Sequence, residues 1–253
     1  MALPTLSLAG KVVIVTGASR GIGRAIALSF AEAGADVVVA SRTLPMLEKV
    51  AGEIRALGRC SLAVAADISI KSQVDNLVQK TVEHLGTIDI LVNNAAINVM
   101  RSLMELREDG WDKVMNVGLK GYFLCSQAAA KVMIERKSGS IINMASAAAA
   151  KANPALGAYS ISKAGVVMLT RVLAAELARH KIRVNAIGPS IVRTELSQPL
   201  WGNPAALKNI EAGIPLGRIA ETGDIVGVAL FLASDLAGYI TGQTIYVDGG
   251  TMA

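Results

Sequence analysis

Tyr159 and Lys163 place a phenol and an ammonium four residues apart, and Ser146 supplies a hydroxyl thirteen residues before them. On an α-helix, with 3.6 residues per turn, the first two project from one face. A hydroxyl arriving from a preceding strand completes a group able to bind a carbonyl oxygen and exchange a proton with it. A free tyrosine titrates near ~10, too high for easy proton exchange at neutral pH. An ammonium about 4 Å away, at an effective dielectric near 20, favours the phenolate by roughly 4 kcal/mol, or about three pKa units before desolvation is subtracted. The spacing therefore predicts that Lys163 brings Tyr159 into a working range. A Tyr-x-x-x-Lys spacing is common by itself, so its meaning depends on what positions it.

The rest of the chain alternates strand and helix patterns. A short apolar run of β-branched residues at 11–16 suits a buried parallel strand, and further strands are read at 36–41, 60–66, 88–92, 140–145, 181–187 and 243–247. Helical periodicity marks 21–34, 43–57, 70–85, 158–179 and 222–233, several stopped by glycine. A long helix is expected over 108–135, with a local irregularity at Asn116 and Gly118, both poor mid-helix residues. Residues 190–216, with Pro199, Pro204 and Pro215, break the rhythm. The alternation predicts an α/β fold with one doubly wound parallel sheet and helices on both faces, forming a single domain over 1–253.

Thr16-Gly-Ala-Ser-Arg-Gly-Ile-Gly23 joins the first strand to the first helix. Glycines there permit a tight turn and close approach to a pyrophosphate at the helix N-terminus. The G-x-x-x-G-x-G spacing differs from G-x-G-x-x-G. Together with Asp67, Asn93-Asn94-Ala95, Asn116, Ser146, Tyr159, Lys163, Pro189 and Thr194, this turn makes the chain resemble the short-chain dehydrogenase/reductases, in their compact single-domain branch. The resemblance spans essentially the whole length.

It implies a Rossmann-type sheet of about seven strands and reversible hydride transfer between a nicotinamide and a carbonyl or secondary alcohol carbon. Tyr159 is then the general acid/base, Ser146 the donor to the substrate oxygen, and Lys163 the partner of Tyr159. Asn116 interrupts its helix and holds a water linking the lysine to solvent. Cofactor contacts are implied for Gly17, Ser19, Arg20, Gly21 and Ile22 at the glycine turn. Asp67 and Ile68 flank the adenine, Asn93 and Ala95 line the adenosine half, and Pro189, Ile191 and Thr194 border the nicotinamide beside Tyr159 and Lys163. An Asp ending the second strand would bind the ribose 2′-hydroxyl; this chain has Ser41-Arg42 there and Arg20 in the turn. Two guanidiniums favour a 2′-phosphate, so NADP(H) is expected over NAD(H).

Substrate contacts are expected from Asn98, Ala148, Leu156, Ser190, Leu196 and Trp201, with Ile97 and Leu200 nearby and Trp201 as a lid within 190–216. The small run 147–150 leaves room for an aliphatic or ring ketone. A 3-oxoacyl group on an acyl carrier protein is the alternative, with Arg136, Lys137, Arg179, Lys181 and Arg183 available to an acidic carrier. Cations at helix ends are also simply stabilising. A non-catalytic NADP-binding regulator is expected to lack Ser146, Tyr159 or Lys163, and all three are present. Ala96 and Ser190 stand where glycine is usual; a positive φ at either would cost about 1 kcal/mol.

Composition excludes other classes. The net charge is +5, but the cations are scattered without interleaved aromatics, which argues against nucleic acid. Mean hydropathy is +0.47, yet no run of ~18 apolar residues suggests a membrane span. No leader pattern opens the chain. Cys60, Cys125, His84 and His180 are far apart, so no metal site is expected. The expected setting is reduced, soluble and cytoplasmic. Phe123, Leu124 and Ala128, and Val166 to Leu169, make two helices apolar nearly all round, which predicts a homo-oligomer; the resemblance implies a tetramer.

Overall fold

The computed structural model describes residues 5–154 and 156–253. Its strands are β1 (Val12–Thr16), β2 (Asp36–Ser41), β3 (Ser61–Ala65), β4 (Ile90–Asn93), β5 (Gly139–Met144), β6 (Ile182–Pro189) and β7 (Thr244–Val247). They pair in parallel in the order β3-β2-β1-β4-β5-β6-β7. The chain winds outward from β1 to β3, then returns to start again at β4. That reversal opens a crevice beyond the carboxyl ends of β1 and β4. Every residue of these two strands is buried, as central parallel strands require.

The helices are α1 (Gly21–Glu32), α2 (Leu44–Ala56), α3 (Lys71–Leu85), α4 (Glu108–Met115), α5 (Gly121–Arg136), α6 (Gly157–Leu177), α7 (Gln198–Trp201), α8 (Pro204–Ala212) and α9 (Thr222–Ala233). Strand side chains alternate between two apolar layers. Val13 and Val15 face α1, α2 and α9, where Phe30, Ile54 and Leu232 pack. Ile14 faces the opposite layer of α3, α5 and α6, with Leu77, Tyr122 and Val166. Among the described residues no helix is long and apolar enough to cross a membrane.

Three local expectations are revised. The helix expected over 108–135 is two helices joined by a π turn, Asn116–Lys120, in which Gly121 N–H reaches back to Asn116 O. Gly118 and Gly121 lower the cost of leaving α geometry, and a Cβ on Gly121 would lie 2.7 Å from Ile68. The fourth strand runs from Ile90; Asp89 before it bonds Val12 O and Ser140 N–H through its backbone and also receives Val12 N–H on its carboxylate at 2.9 Å. The 190–216 segment contains α7 and α8. Pro199 and Pro204 lie in their first turns, where proline lacks no needed N–H, and Asn203 caps α8 by accepting from Ala205 N at 2.9 Å.

Candidate active site

The crevice has two adjoining parts. The first, of about 300 Å³, is lined by Gly17, Ser19, Arg20, Gly21 and Ile22 from the β1–α1 turn. Ser41 and Arg42 border it after β2, Asp67 and Ile68 after β3, and Ala95 after β4. Gly17 and Gly21 have φ of +66° and +56°, which a side chain would resist. A Cβ on Gly17 would also lie 2.7 Å from Ala95 Cα, and one on Gly23 would overlap Gly17 O. The glycines therefore bring backbone close in at the N-terminus of α1, suited to a pyrophosphate. Asp67 is held by Ser69, whose N–H and hydroxyl donate to its carboxylate at 2.9 and 2.6 Å. No carboxylate ends β2. Arg42 is exposed beside Ser41 and makes no ion pair among the described residues, so the rim fits a 2′-phosphate.

Arg20 faces this cleft but is paired with Glu195, so Arg42 carries the free guanidinium at the rim. Asn93 does not line the cleft. It is fully buried, donating to Ser126 Oγ and Asn143 Oδ1, each at 2.9 Å. The next residue, Asn94, is half-buried on the cleft wall: its amide donates to Thr16 O at 3.0 Å and Gly17 O at 3.2 Å, tying the β4 end to the glycine turn.

The second part, of about 440 Å³, is walled by Ser146, Tyr159 and Lys163. Ser146 follows β5 in an extended conformation; its Oγ accepts from Ala148 N at 3.1 Å and donates to Pro189 O at 3.4 Å. Tyr159 and Lys163 rise from the first two turns of α6. Lys163 is 1% exposed and donates to Met144 O at 2.7 Å and Tyr122 Oη at 3.2 Å. Burial lowers its pKa to about 7. Burial raises that of Tyr159, and a hydrogen bond with Ser146 pulls the other way. The expected depression of Tyr159 by the ammonium is thus overturned: Lys163 is aimed at Tyr122 and Met144, 5.6 Å from the Tyr159 ring centroid, and desolvation dominates.

Pro189, Ser190, Ile191 and Thr194 line the second part from the β6 end, and Thr194 and Leu196 border both parts. Asn98, Ala148, Leu156 and Leu200 complete its walls. Ile97 lines the first part instead. Trp201 does not reach the cavity. Its indole donates to Ser197 Oγ at 3.0 Å and its ring stacks 4.8 Å from Arg193, so Leu200 is the α7 residue facing inward. Asn116 lines neither part, and its side chain makes no hydrogen bond among the described residues; the π-turn residue buried against α6 is Gly118.

The family model described as enoyl-(acyl carrier protein) reductase matches residues 17–252. A 3-oxoacyl-[acyl-carrier-protein] reductase FabG of Staphylococcus aureus is 42% identical over 241 residues, covering 95% of this chain and 97% of that protein. A solved short-chain type dehydrogenase/reductase from Mycobacterium marinum superposes with a TM-score of 0.93 at 38% identity, over 98% of each chain. The chain belongs to the short-chain dehydrogenase/reductase family. It is an oxidoreductase of that family. A further solved relative, a gluconate 5-dehydrogenase from Burkholderia cenocepacia in complex with NADP and tartrate, has a TM-score of 0.95 at 35% identity, over 99% of this chain and 98% of that one.

Within this short-chain dehydrogenase/reductase, two departures from glycine prove harmless to the backbone. Among the described non-glycine residues only Lys137 and Lys181 have positive φ, so Ala96 and Ser190 carry no left-handed strain. Arg183 leaves the set of surface cations, because its guanidinium donates to Leu232 O at 2.8 Å and Ser234 O at 3.2 Å. Sequence reasoning missed Met46 and Val117 on the cofactor side, and Lys151 and Thr251 on the other. Met46 lies in α2, Val117 in the π turn, Lys151 in the loop before α6 and Thr251 after β7, places that carry no local signal.

Proposed function

We propose that this chain reduces a ketone to a secondary alcohol, and reverses that reaction, with NADP(H) bound from the glycine turn to the Ser41–Arg42 rim. The observation that carries the reading is the meeting of Ser146, Tyr159 and Lys163 on the wall of one cavity beside that turn. The bound nicotinamide supplies or accepts the hydride. Ser146 Oγ, held between Ala148 N–H and Pro189 O, donates to the substrate oxygen as negative charge develops. Tyr159 Oη gives that oxygen its proton in reduction and takes it back in oxidation. Its raised pKa keeps it protonated, the form that reduction uses. Lys163, when charged, opposes the negative charge left on Tyr159. Ala147, Ala148, Leu156 and Leu200 exclude water around the oxygen.

The proposed working form is a single domain in which 190–216 covers the substrate. Phe123 on α5 and Ile161, Met168 and Val172 on α6 are exposed apolar residues, supporting a homo-oligomer, with a tetramer as the specific expectation. Sedimentation as a monomer at micromolar concentration would remove that part. A reduced cytoplasmic setting suits Cys60 and Cys125, both free.

A 3-oxoacyl thioester on an acyl carrier protein is the second reading, favoured by the FabG relatives and by Arg136, Lys137, Arg179 and Lys181 at helix ends. The test follows NADPH absorbance with free ketones and with carrier-bound 3-oxoacyl substrate, at low and high salt. Turnover of free ketones indifferent to salt selects the first reading; turnover of the carrier-bound substrate alone, weakened by salt, selects the second. Tyr159→Phe should stop either turnover while leaving NADPH binding intact. Unchanged turnover in that variant, or no turnover of any carbonyl by the native chain, would sink the reading.

A further inference from the structure

Tyr122 is the largest fully buried side chain among the described residues, and no step above uses it. It lies on α5 just past the π turn, four residues after Gly118, and both are buried. Gly118 brings no side chain toward α6, where a Cβ would lie 3.0 Å from Ser162 Oγ. The polar atom that reaches Lys163 from this side is Tyr122 Oη. It accepts from Lys163 Nζ at 3.2 Å and donates to Met144 O at 3.4 Å. Lys163 Nζ donates to the same carbonyl at 2.7 Å and stands 4.7 Å from the Tyr122 ring centroid. A buried phenol needs partners for its hydroxyl. Here they are the amine and the strand-end carbonyl two residues before Ser146.

We propose that Tyr122 is a positioning residue for Lys163, whose phenol oxygen and ring face hold the lysine in its charged form beneath the reacting group. This rests on the reading of Lys163 as the electrostatic partner of Tyr159. The titratable groups facing the ammonium are Tyr159 from α6 and Tyr122, backed by Cys125, from α5; β5 offers only the Met144 carbonyl. None is a carboxylate. Burial keeps Tyr122 and Cys125 neutral by raising both, the thiol to about 12. The charge is therefore supported by dipoles and a ring face alone. Tyr122, being protonated, can accept from the amine and donate to Met144 at once.

Removing that acceptor favours the neutral amine, so the lysine titrates at lower pH. In Tyr122→Phe, which keeps the ring, the midpoint is expected to fall by about one pH unit. The direct measurement is a 13C NMR titration of ε-carbon-labelled lysine, with the Lys163 signal assigned by its loss in Lys163→Met. The falling limb of kcat/KM for carbonyl reduction should move toward acid by the same amount, with KM for NADPH nearly unchanged. A second variant carries 3-fluorotyrosine at 122; its poorer acceptor oxygen must move the midpoint the same way, even if Tyr122→Phe folds badly. A native midpoint in either folded variant overturns the proposal. If no carbonyl compound is turned over, the reading of the function fails, while the NMR midpoint still decides the role of Tyr122.

Discussion

At the glycine turn, the site is shaped by side chains that are missing: a Cβ on Gly17 would lie 2.7 Å from Ala95, and one on Gly23 would overlap the carbonyl of Gly17. At the other end of the same crevice, the site is shaped by side chains that are present and displaced in their ionisation, with Lys163 lowered to about 7 and Tyr159 raised. The first end recognises by shape and backbone dipoles, and its requirements are all-or-none. The second works by balance between burial and charge, and its requirements are graded. Changes at the glycine turn should therefore act as breaks, and changes around the lysine as shifts.

The largest effect is expected from Gly23→Ala, which sets a methyl against backbone that cannot move aside. NADPH affinity, read by fluorescence titration, should fall by roughly 100-fold or more, equivalent to about 2.7 kcal/mol. Native affinity would show that the turn relaxes, and the contrast would collapse. Arg42→Ala comes next. Loss of a charge-assisted contact should weaken NADPH about tenfold and leave NADH unchanged. If the preference survives, Arg20 must have left Glu195 to supply it.

Lys163→Met tests the graded end through stability. A lysine titrating at about 7 in the fold and near ~10.4 unfolded binds fewer protons when folded across that window. The burial penalty is whole below the folded value and fades as pH rises toward the unfolded one. Native stability relative to Lys163→Met should thus climb above neutral pH, by at most about 1.4 kcal/mol per unit. Parallel urea-denaturation curves across that range would mean the amine titrates ordinarily. The smallest effect is expected from Ser190→Gly. With no positive φ to relieve, stability should change by no more than about 0.5 kcal/mol, as read by thermal melting.

The parts legible in the sequence were those whose requirement is local. Gly17 and Gly21 announce a turn whatever surrounds them, and Tyr159 to Lys163 reads as one helix face because the period of a helix is fixed. Errors arose where one residue step decides the face. Asn93 ends β4 facing inward, opposite Asn143, while Asn94 faces the crevice; alternation along a strand makes neighbours exchange roles. Leu200 and Trp201 divide in the same way on α7. The ionisation of Tyr159 was misjudged because charge proximity was counted while the depth of burial was not yet known. Tyr122 gave no signal, since a buried tyrosine in an apolar helix looks like core.

The hydrogen bonds of Asn93 have a mechanical consequence. Asn93 donates to Asn143, and Asn143 donates to Thr170 on α6 at 2.9 Å, while Ser126 on α5 receives the other Asn93 hydrogen. Valines and isoleucines pack almost equally well one step along, but amides do not. A slip of β5 by one residue against β4 would turn Asn143 to the opposite face and strand buried amides, at roughly 1–3 kcal/mol for each lost partner. The row works as a key in a slot, locking two strands and two helices at one setting. Ser146 sits three residues beyond the key on β5, and Tyr159 rides on α6, one of the helices it engages. A buried asparagine that lines neither part of the crevice thereby sets how far apart the hydroxyls of Ser146 and Tyr159 stand.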